Sequence, residues 1–195
     1  MKRFGLLTGT FLATAAIAGC FFEAGGCSGN ACFSVADYDC DGYYCDEPLD
    51  CEDSETIRQR MAAIISEARL HARDCGVTRY QAANTVYWND KLGTASDVHS
   101  LDMARHNFLS HTGSDGSTPA SRATEAGYDY ARIAENIAGG HETSTSVVNA
   151  WLDSPEHCAN IMNPALDEIG AACVRDYHSD YRTYWTLLLG SPRID

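Results

Sequence analysis

Nine cysteines, all after an N-terminal apolar segment, constrain the fold of this 195-residue chain more than any other sequence feature. The chain begins with Met1-Lys2-Arg3, continues with a largely apolar run over residues 4–18, and then reaches Gly19-Cys20. A basic start, a short apolar core and small residues at its end are typical of an export signal. Exported cysteines meet an oxidising compartment, so we expect disulfides to cross-link the fold.

The end of this signal, Ile17-Ala18-Gly19-Cys20, is similar to the lipobox of bacterial lipoproteins. The resemblance implies that residues 1–19 are removed and that a lipid on Cys20 anchors the protein to the membrane of a bacterial cell envelope. The open alternative is ordinary cleavage nearby, which leaves Cys20 as one more thiol of a secreted protein. Lipidation leaves eight cysteines, enough for four disulfides. These are Cys27, Cys32, Cys40, Cys45, Cys51, Cys75, Cys158 and Cys173.

Residues 20–55 carry ten acidic residues and no Lys or Arg, and they lack apolar periodicity. We interpret them as an acidic, cysteine-rich tether. Residues 37–42 begin like a calcium loop, but Pro48 stands where the closing Glu belongs, which favours a solvated linker. The net charge of −13 argues against nucleic acid as a partner, because phosphate binding needs clustered Lys and Arg.

Residues 56–195 are predicted to form one domain of the α+β class. Apolar side chains recur there at helical spacing, first at Ile57, Met61 and Ile65. Cap and stop residues predict helices from residue 56 to a stop at Gly76, over 91–107, over 118–127 and over 144–153. Strand-like residues 169–174 and 182–189, joined through 178–180, predict a C-terminal antiparallel hairpin. This order of elements indicates a sheet covered by helices.

Three polar residues lie in short segments with apolar neighbours, where a polar side chain indicates a structural or functional role: His111, Glu135 and His157. They belong to an ordered series of motifs over about residues 60–190. The series comprises His99-Ser100-Leu101-Asp102-Met103-Ala104, Phe108-x-Ser110-His111, Gly127-Tyr128, Glu135-Asn136-Ile137-Ala138, Trp151-x-x-Ser154-x-x-His157-x-x-Asn160-Ile161-Met162 and Ile169-Gly170. It resembles bacterial SCP-like proteins of the CAP superfamily, to which cysteine-rich secretory proteins and plant pathogenesis-related proteins belong. The resemblance implies an α-β-α sandwich.

The resemblance also implies an open cavity lined by two histidines and two acids. His111 and His157 match the two histidines, and Glu135 matches one acid. The second acid is replaced by Ser154, with Asp153 beside it. Two neutral imidazoles can ligate zinc, with Glu135 as a ligand, a supporting partner or a base. The alternative is that these groups hydrogen-bond one another and hold loops together.

We therefore expect an exported cell-surface binding module whose cavity takes zinc, a small apolar molecule, a lipid or an envelope component. The rival is a metal-assisted peptidase or esterase, with Glu135 as its candidate catalytic residue. A third interpretation is a purely structural scaffold. Neither an HExxH zinc-protease motif nor a G-x-S-x-G serine-hydrolase motif occurs. His99 is expected to be a satisfied core group that can also support the pocket.

A disulfide between Cys158 and Cys173 is also expected. It would clamp the segment of His157 to the terminal hairpin and stabilise the fold by about 3 kcal/mol. Cys75 would then need a partner in the tether, whose five cysteines are odd in number.

Overall fold

The computed structural model describes residues 51–193. Within that range the helices are α1 (Ser54–Arg69), α2 (Asp90–Arg105), α3 (Pro119–Glu125), α4 (Ser144–Asp153) and α5 (Pro155–Met162). The strands are β1 (Arg73–Cys75), β2 (Thr78–Tyr80), β3 (Tyr87–Trp88), β4 (Tyr130–Gly139), β5 (Glu168–Arg175) and β6 (Thr183–Pro192). None of these helices is both long and apolar enough to cross a membrane.

The main sheet has the strand order β3-β5-β6-β4, while β1 and β2 form a separate small hairpin. β5 and β6 pair antiparallel, which confirms the predicted C-terminal hairpin. β4 adds antiparallel to β6, and the short β3 runs parallel to β5. β4 is thus an edge strand of this sheet. Glu135 lies near the middle of β4.

Helices cover both faces of the sheet, and residues of the sheet alternate between them. Leu187 and Leu189 of β6 share one apolar cluster with side chains of α1, α4 and α5. Leu188 lies between them and packs with Leu92 of α2 and with α3 on the opposite face. This alternation is what a pleated strand buried on both faces requires. The architecture is therefore an α-β-α sandwich, which confirms the predicted fold class.

Helix α2 lies unusually close to β5 at a pair of glycines. A Cβ atom on Gly170 would lie 2.0 Å from the backbone nitrogen of Gly93, so this contact requires glycine. Two serines of α2 fix the approach: Ser96 donates to the Gly170 carbonyl, and Ser100 donates to the Ala172 carbonyl and to Thr186. The close approach holds the inward face of α2 against the sheet.

The predicted helices 91–107, 118–127 and 144–153 correspond to α2, α3 and α4. Side-chain caps at Asn89, Thr118 and Thr143 explain where these helices begin. The first helix begins at Ser54 after its cap Asp53, two residues before the predicted domain boundary, and it ends at Arg69. The sequence prediction did not include β4 or α5, and both carry residues of the candidate site.

The predicted Cys158–Cys173 disulfide is wrong. Cys158 is bonded to Cys75, and Cys173 is bonded to Cys51, with Cα–Cα distances of 5.5 and 5.6 Å. The physical reason is that the two cysteines lie in separate apolar clusters, Cys158 against the β1–β2 hairpin and Cys173 on the sheet face that packs against α1. The expectation that Cys75 pairs with the tether is also wrong, because the tether cysteine Cys51 takes Cys173. The pairing of the other tether cysteines lies outside the described residues.

Cys51 and Glu52 belong structurally to the domain, although the predicted tether ended at residue 55. Cys51 packs against the largest core cluster. The carboxylate of Glu52 accepts hydrogen bonds from Ser144 on α4 and from Arg60 on α1. The folded domain therefore includes residues 51 and 52.

We predict that non-reducing protease digestion and mass spectrometry will yield peptides cross-linked through Cys75–Cys158 and Cys51–Cys173. The Cys75–Cys158 bond closes a loop of 83 residues, and the Cys51–Cys173 bond closes a loop of 122 residues. In the chain-entropy description, closure of such a loop stabilises the fold by about 4–5 kcal/mol. A cross-linked peptide that joins Cys158 to Cys173 would contradict this pairing.

Candidate functional site

Glu135 is the centre of the candidate site, and it is buried. It stands opposite Leu188 in the β4–β6 pairing, on the sheet face covered by α2 and α3. Its side chain is 2% exposed. One carboxylate oxygen accepts from Arg122 Nη2 at 2.7 Å, and the other accepts from His111 Nδ1 at 2.8 Å. Both carboxylate oxygens are therefore already engaged by neighbouring side chains.

His111 lies in the loop that follows α2, and it connects the buried carboxylate with solvent. Its side chain is 53% exposed although Nδ1 reaches Glu135. Its backbone carbonyl accepts a 3.0 Å hydrogen bond from Arg122 Nη2. Since Nδ1 donates to the carboxylate, Nε2 is the ring nitrogen left to face a ligand.

His99 supports this loop from the inward face of α2. The imidazole is fully buried, and Nε2 donates to the Ser110 carbonyl at 2.8 Å, while Nε2 lies 3.9 Å from the nearer oxygen of Glu135. Nδ1 has no hydrogen-bond partner among the described residues. A proton on Nδ1 would be buried without an acceptor, so this environment favours the neutral ring. His99 is thus a core histidine that also fixes the residue before His111.

His157 lies on α5 and approaches the site from the opposite helical layer. The backbone carbonyl of His157 accepts from Asn136 Nδ2 at 3.1 Å, and Asn160 Nδ2 donates to Asn136 Oδ1 at 2.9 Å. These bonds attach α5 to β4 one residue after Glu135. The His157 ring is partly buried and close enough to His111 for their charges to interact. Ser154 lies between α4 and α5, and its side chain makes no capping bond to α5.

The three histidines occupy different electrostatic environments. The hydrogen bond to Glu135 raises the pKa of His111 above its ordinary 6.5. Burial lowers the pKa of His157, and the neighbouring His111 lowers it further. Burial also lowers the pKa of His99. At a pH between the lowered pKa of His157 and the raised pKa of His111, the pair therefore combines a neutral imidazole with a charged one.

The arrangement does not fit a resident zinc ion. A catalytic zinc site needs three protein ligands, and Glu135 is already bound by a guanidinium and an imidazole. Among residues 51–193, no three His, Cys, Asp or Glu side chains form a metal-binding group. His111 and His157 leave two imidazoles, one short of that set. We therefore assign no chemical step to a metal.

Sequence reasoning did not find Arg122, which contacts both Glu135 and His111. Arg122 is 3% exposed, and its Nη1 also donates to the Ser117 carbonyl and hydroxyl. A signal was present, because Arg122 lies beside the inward-facing Ala123 in a short helix with a clear cap. An arginine on the buried side of a helix needs an anionic or carbonyl partner.

The α-β-α sandwich, with a buried Glu135 hydrogen-bonded to His111 at its edge strand, is the arrangement of a CAP-type domain. The chain belongs to the cysteine-rich secretory protein family, because the CAP family model matches residues 60–189. Two relatives are similar in sequence. The uncharacterized protein YkwD of Bacillus subtilis (strain 168) is 33% identical over 94 residues, which cover 48% of this chain and 37% of that protein. An uncharacterized protein of Borreliella burgdorferi is 30% identical over 87 residues, which cover 45% of this chain and 55% of that protein.

The match thus spans about a third to a half of the length of these relatives. Two solved structures have the same fold. An outer surface protein from Borrelia burgdorferi superposes with a TM-score of 0.59 at 24% identity, covering 73% of this chain and 97% of that chain. An extracellular SCP-domain protein from Bacillus anthracis superposes with a TM-score of 0.53 at 20% identity, covering 70% of this chain and 39% of that chain.

We predict that NMR titration of the imidazole rings will place the pKa of His111 above 6.5 and those of His157 and His99 below it. The order follows from the carboxylate at His111 and from burial at the other two rings. A pKa for His111 at or below that of His157 would contradict this geometry.

The pH dependence of the free energy of unfolding should follow from these pKa shifts. His99 binds a proton more readily in the unfolded chain, so its contribution is present above pH 6.5 and is lost as the pH falls toward its lowered folded-state pKa. The contribution of His111 is present below pH 6.5 and is lost as the pH rises through its raised pKa. We therefore expect the free energy of unfolding of His99→Gln, measured by urea denaturation, to fall less on acidification than that of the native protein.

Proposed function

We propose that this protein is an exported CAP-domain binding module, attached to the cell envelope through a lipid on Cys20. In this proposal, the imidazoles of His111 and His157 bind the polar group of a small amphipathic ligand. The observation that carries the proposal is the engagement of both oxygens of Glu135 by Arg122 and His111. A carboxylate held in this way orients a binding group and is poorly placed to act as a base.

The surroundings of His111 suit a ligand with an apolar part. Leu109, two residues earlier in the same loop, is 37% exposed. Phe108 packs against the apolar cluster that contains Met103 and Tyr184, and its ring lies 6.4 Å from that of His99. A protonated His111 together with the exposed Leu109 favours a single-chain anionic amphiphile, in which the carboxylate meets the imidazole and the alkyl chain meets Leu109.

The location of the protein outside the cytoplasm is supported by its N-terminal sequence and by two relatives. Residues 1–20 have the features of a signal peptide followed by a lipobox cysteine. One protein of the same fold is an outer surface protein, and another is an extracellular protein. Two disulfides in the domain also suit an oxidising compartment.

One observation favours the rival function, a hydrolase. The Glu135–His111 pair resembles the acid–histidine half of a hydrolytic triad, in which the acid fixes the tautomer and Nε2 accepts a proton. In such an enzyme His111 would be the base and Glu135 would only orient it. A nucleophile near Nε2 is also required, and Ser154 is the hydroxyl that the sequence offers.

We predict that decanoate binds the purified protein at pH 6 and that His111→Ala weakens this binding at least tenfold. A tenfold loss corresponds to about 1.4 kcal/mol, which is reasonable for one charge-assisted hydrogen bond. Isothermal titration calorimetry measures the affinity, with His178→Ala as the matched surface control. Equal affinity in His111→Ala and the native protein would contradict the proposal, as would the absence of binding.

The same protein samples distinguish the proposed binding function from the rival hydrolase. We expect no hydrolysis of peptide or ester libraries that depends on His111, with or without zinc. We also expect zinc to bind weakly, and its heat of binding to disappear in the double variant His111→Ala/His157→Ala. Activity that is abolished by His111→Ala would support the hydrolase instead. Tight stoichiometric zinc binding would contradict the two-imidazole donor set.

A further inference from the structure

Arg122, Glu135 and His111 are joined in a closed cycle of hydrogen bonds. Nη2 of Arg122 donates to the carboxylate of Glu135 at 2.7 Å and to the backbone carbonyl of His111 at 3.0 Å. The other carboxylate oxygen accepts from the His111 ring at 2.8 Å. One guanidinium nitrogen therefore fixes both the backbone of His111 and the group that orients its ring.

We propose that Arg122 is the positioning residue of the pocket, which sets the direction and the tautomer of the His111 ring without contacting the ligand. Arg122 is buried and His111 is half-exposed, so the guanidinium lies beneath the imidazole while Nε2 faces outward. The two hydrogen bonds to Nη2 converge from the His111 loop and from β4. A flat guanidinium holds such a geometry, whereas a compact ammonium cannot reproduce it.

Arg122 also has a structural role that can be separated from positioning. Nη1 donates to the carbonyl and hydroxyl of Ser117, just before the cap of α3. Those bonds tie a helix to its preceding loop and do not involve Glu135 or His111. A purely structural arginine would need only the Nη1 bonds, and the state of the His111 ring would then be independent of it.

The tautomer of His111 distinguishes these roles. With Arg122 present, the carboxylate of Glu135 is held where it accepts from Nδ1, so the neutral ring carries its proton on Nδ1. Without Arg122, the bonds from Nη2 to Glu135 and to the His111 carbonyl are both absent, and neither the carboxylate nor the loop is held in place. A His111 ring that is no longer held against the carboxylate is free to carry its proton on Nε2 as well. Loss of Arg122 therefore removes the fixed tautomer and the fixed ring direction.

The test is nitrogen-15 NMR of the histidine rings at a pH where they are neutral, in the native protein, Arg122→Met and Arg122→Lys. Exposed Arg132→Met on β4 is the matched control. We expect His111 to be in the Nδ1–H form in the native protein and in Arg132→Met. We expect that form to be lost in Arg122→Met and partly lost in Arg122→Lys. The Nε2–H signature of His99 shows in each sample whether the fold is intact.

Retention of the Nδ1–H form in both Arg122 variants would overturn the inference. If Arg122→Met does not fold, Arg122→Lys decides alone, and full retention there would overturn it as well. The functional consequence rests on the proposed binding function: decanoate affinity should fall at least tenfold in Arg122→Met and remain unchanged in Arg132→Met. The NMR readout needs no ligand, so failure of the native protein to bind decanoate would contradict only the proposed function.

Discussion

Glu135 and Arg122 meet inside the protein, with both side chains about 2% exposed and 2.7 Å between the carboxylate and guanidinium atoms. Removing either partner from such a pair leaves an unpaired buried charge, at a cost of about 3–5 kcal/mol. The pair joins α3 to the edge strand β4 and holds the His111 loop through a backbone carbonyl. The exposed imidazole therefore depends on an interaction that lies wholly beneath the surface.

The sandwich supplies what this ion pair needs. β4 places Glu135 toward α2 and α3, and it places the next residue, Asn136, toward α4 and α5. One strand thus anchors both helical layers at neighbouring positions. The glycine contact between α2 and β5 keeps His99 pressed against the same face. The Cys75–Cys158 disulfide holds α5 at the residue after His157. The segments that contain the two imidazoles are therefore both held in place, one by this disulfide and the other by Arg122.

Local signals made much of the fold predictable. Thr118 and Thr143 form capping boxes that start α3 and α4 where the sequence predicts them. β4 escaped prediction because Glu135 and Asn136 turn polar groups to opposite faces, which breaks the expected apolar alternation. The disulfides depend on pairing between residues 83 and 122 positions apart, which spacing does not reveal. Arg122 escaped because its partners, Glu135 and the His111 carbonyl, are brought to it only by the tertiary fold.

The most direct test of the account is a double-mutant cycle on stability with Arg122→Met, Glu135→Gln and the double variant, measured by urea denaturation at pH 7. If the buried pair organises the site, the loss in the double variant will be smaller than the sum of the two single losses by at least about 1.5 kcal/mol. Losses that add to within about 0.5 kcal/mol would show that the two residues act independently, and they would contradict the central claim.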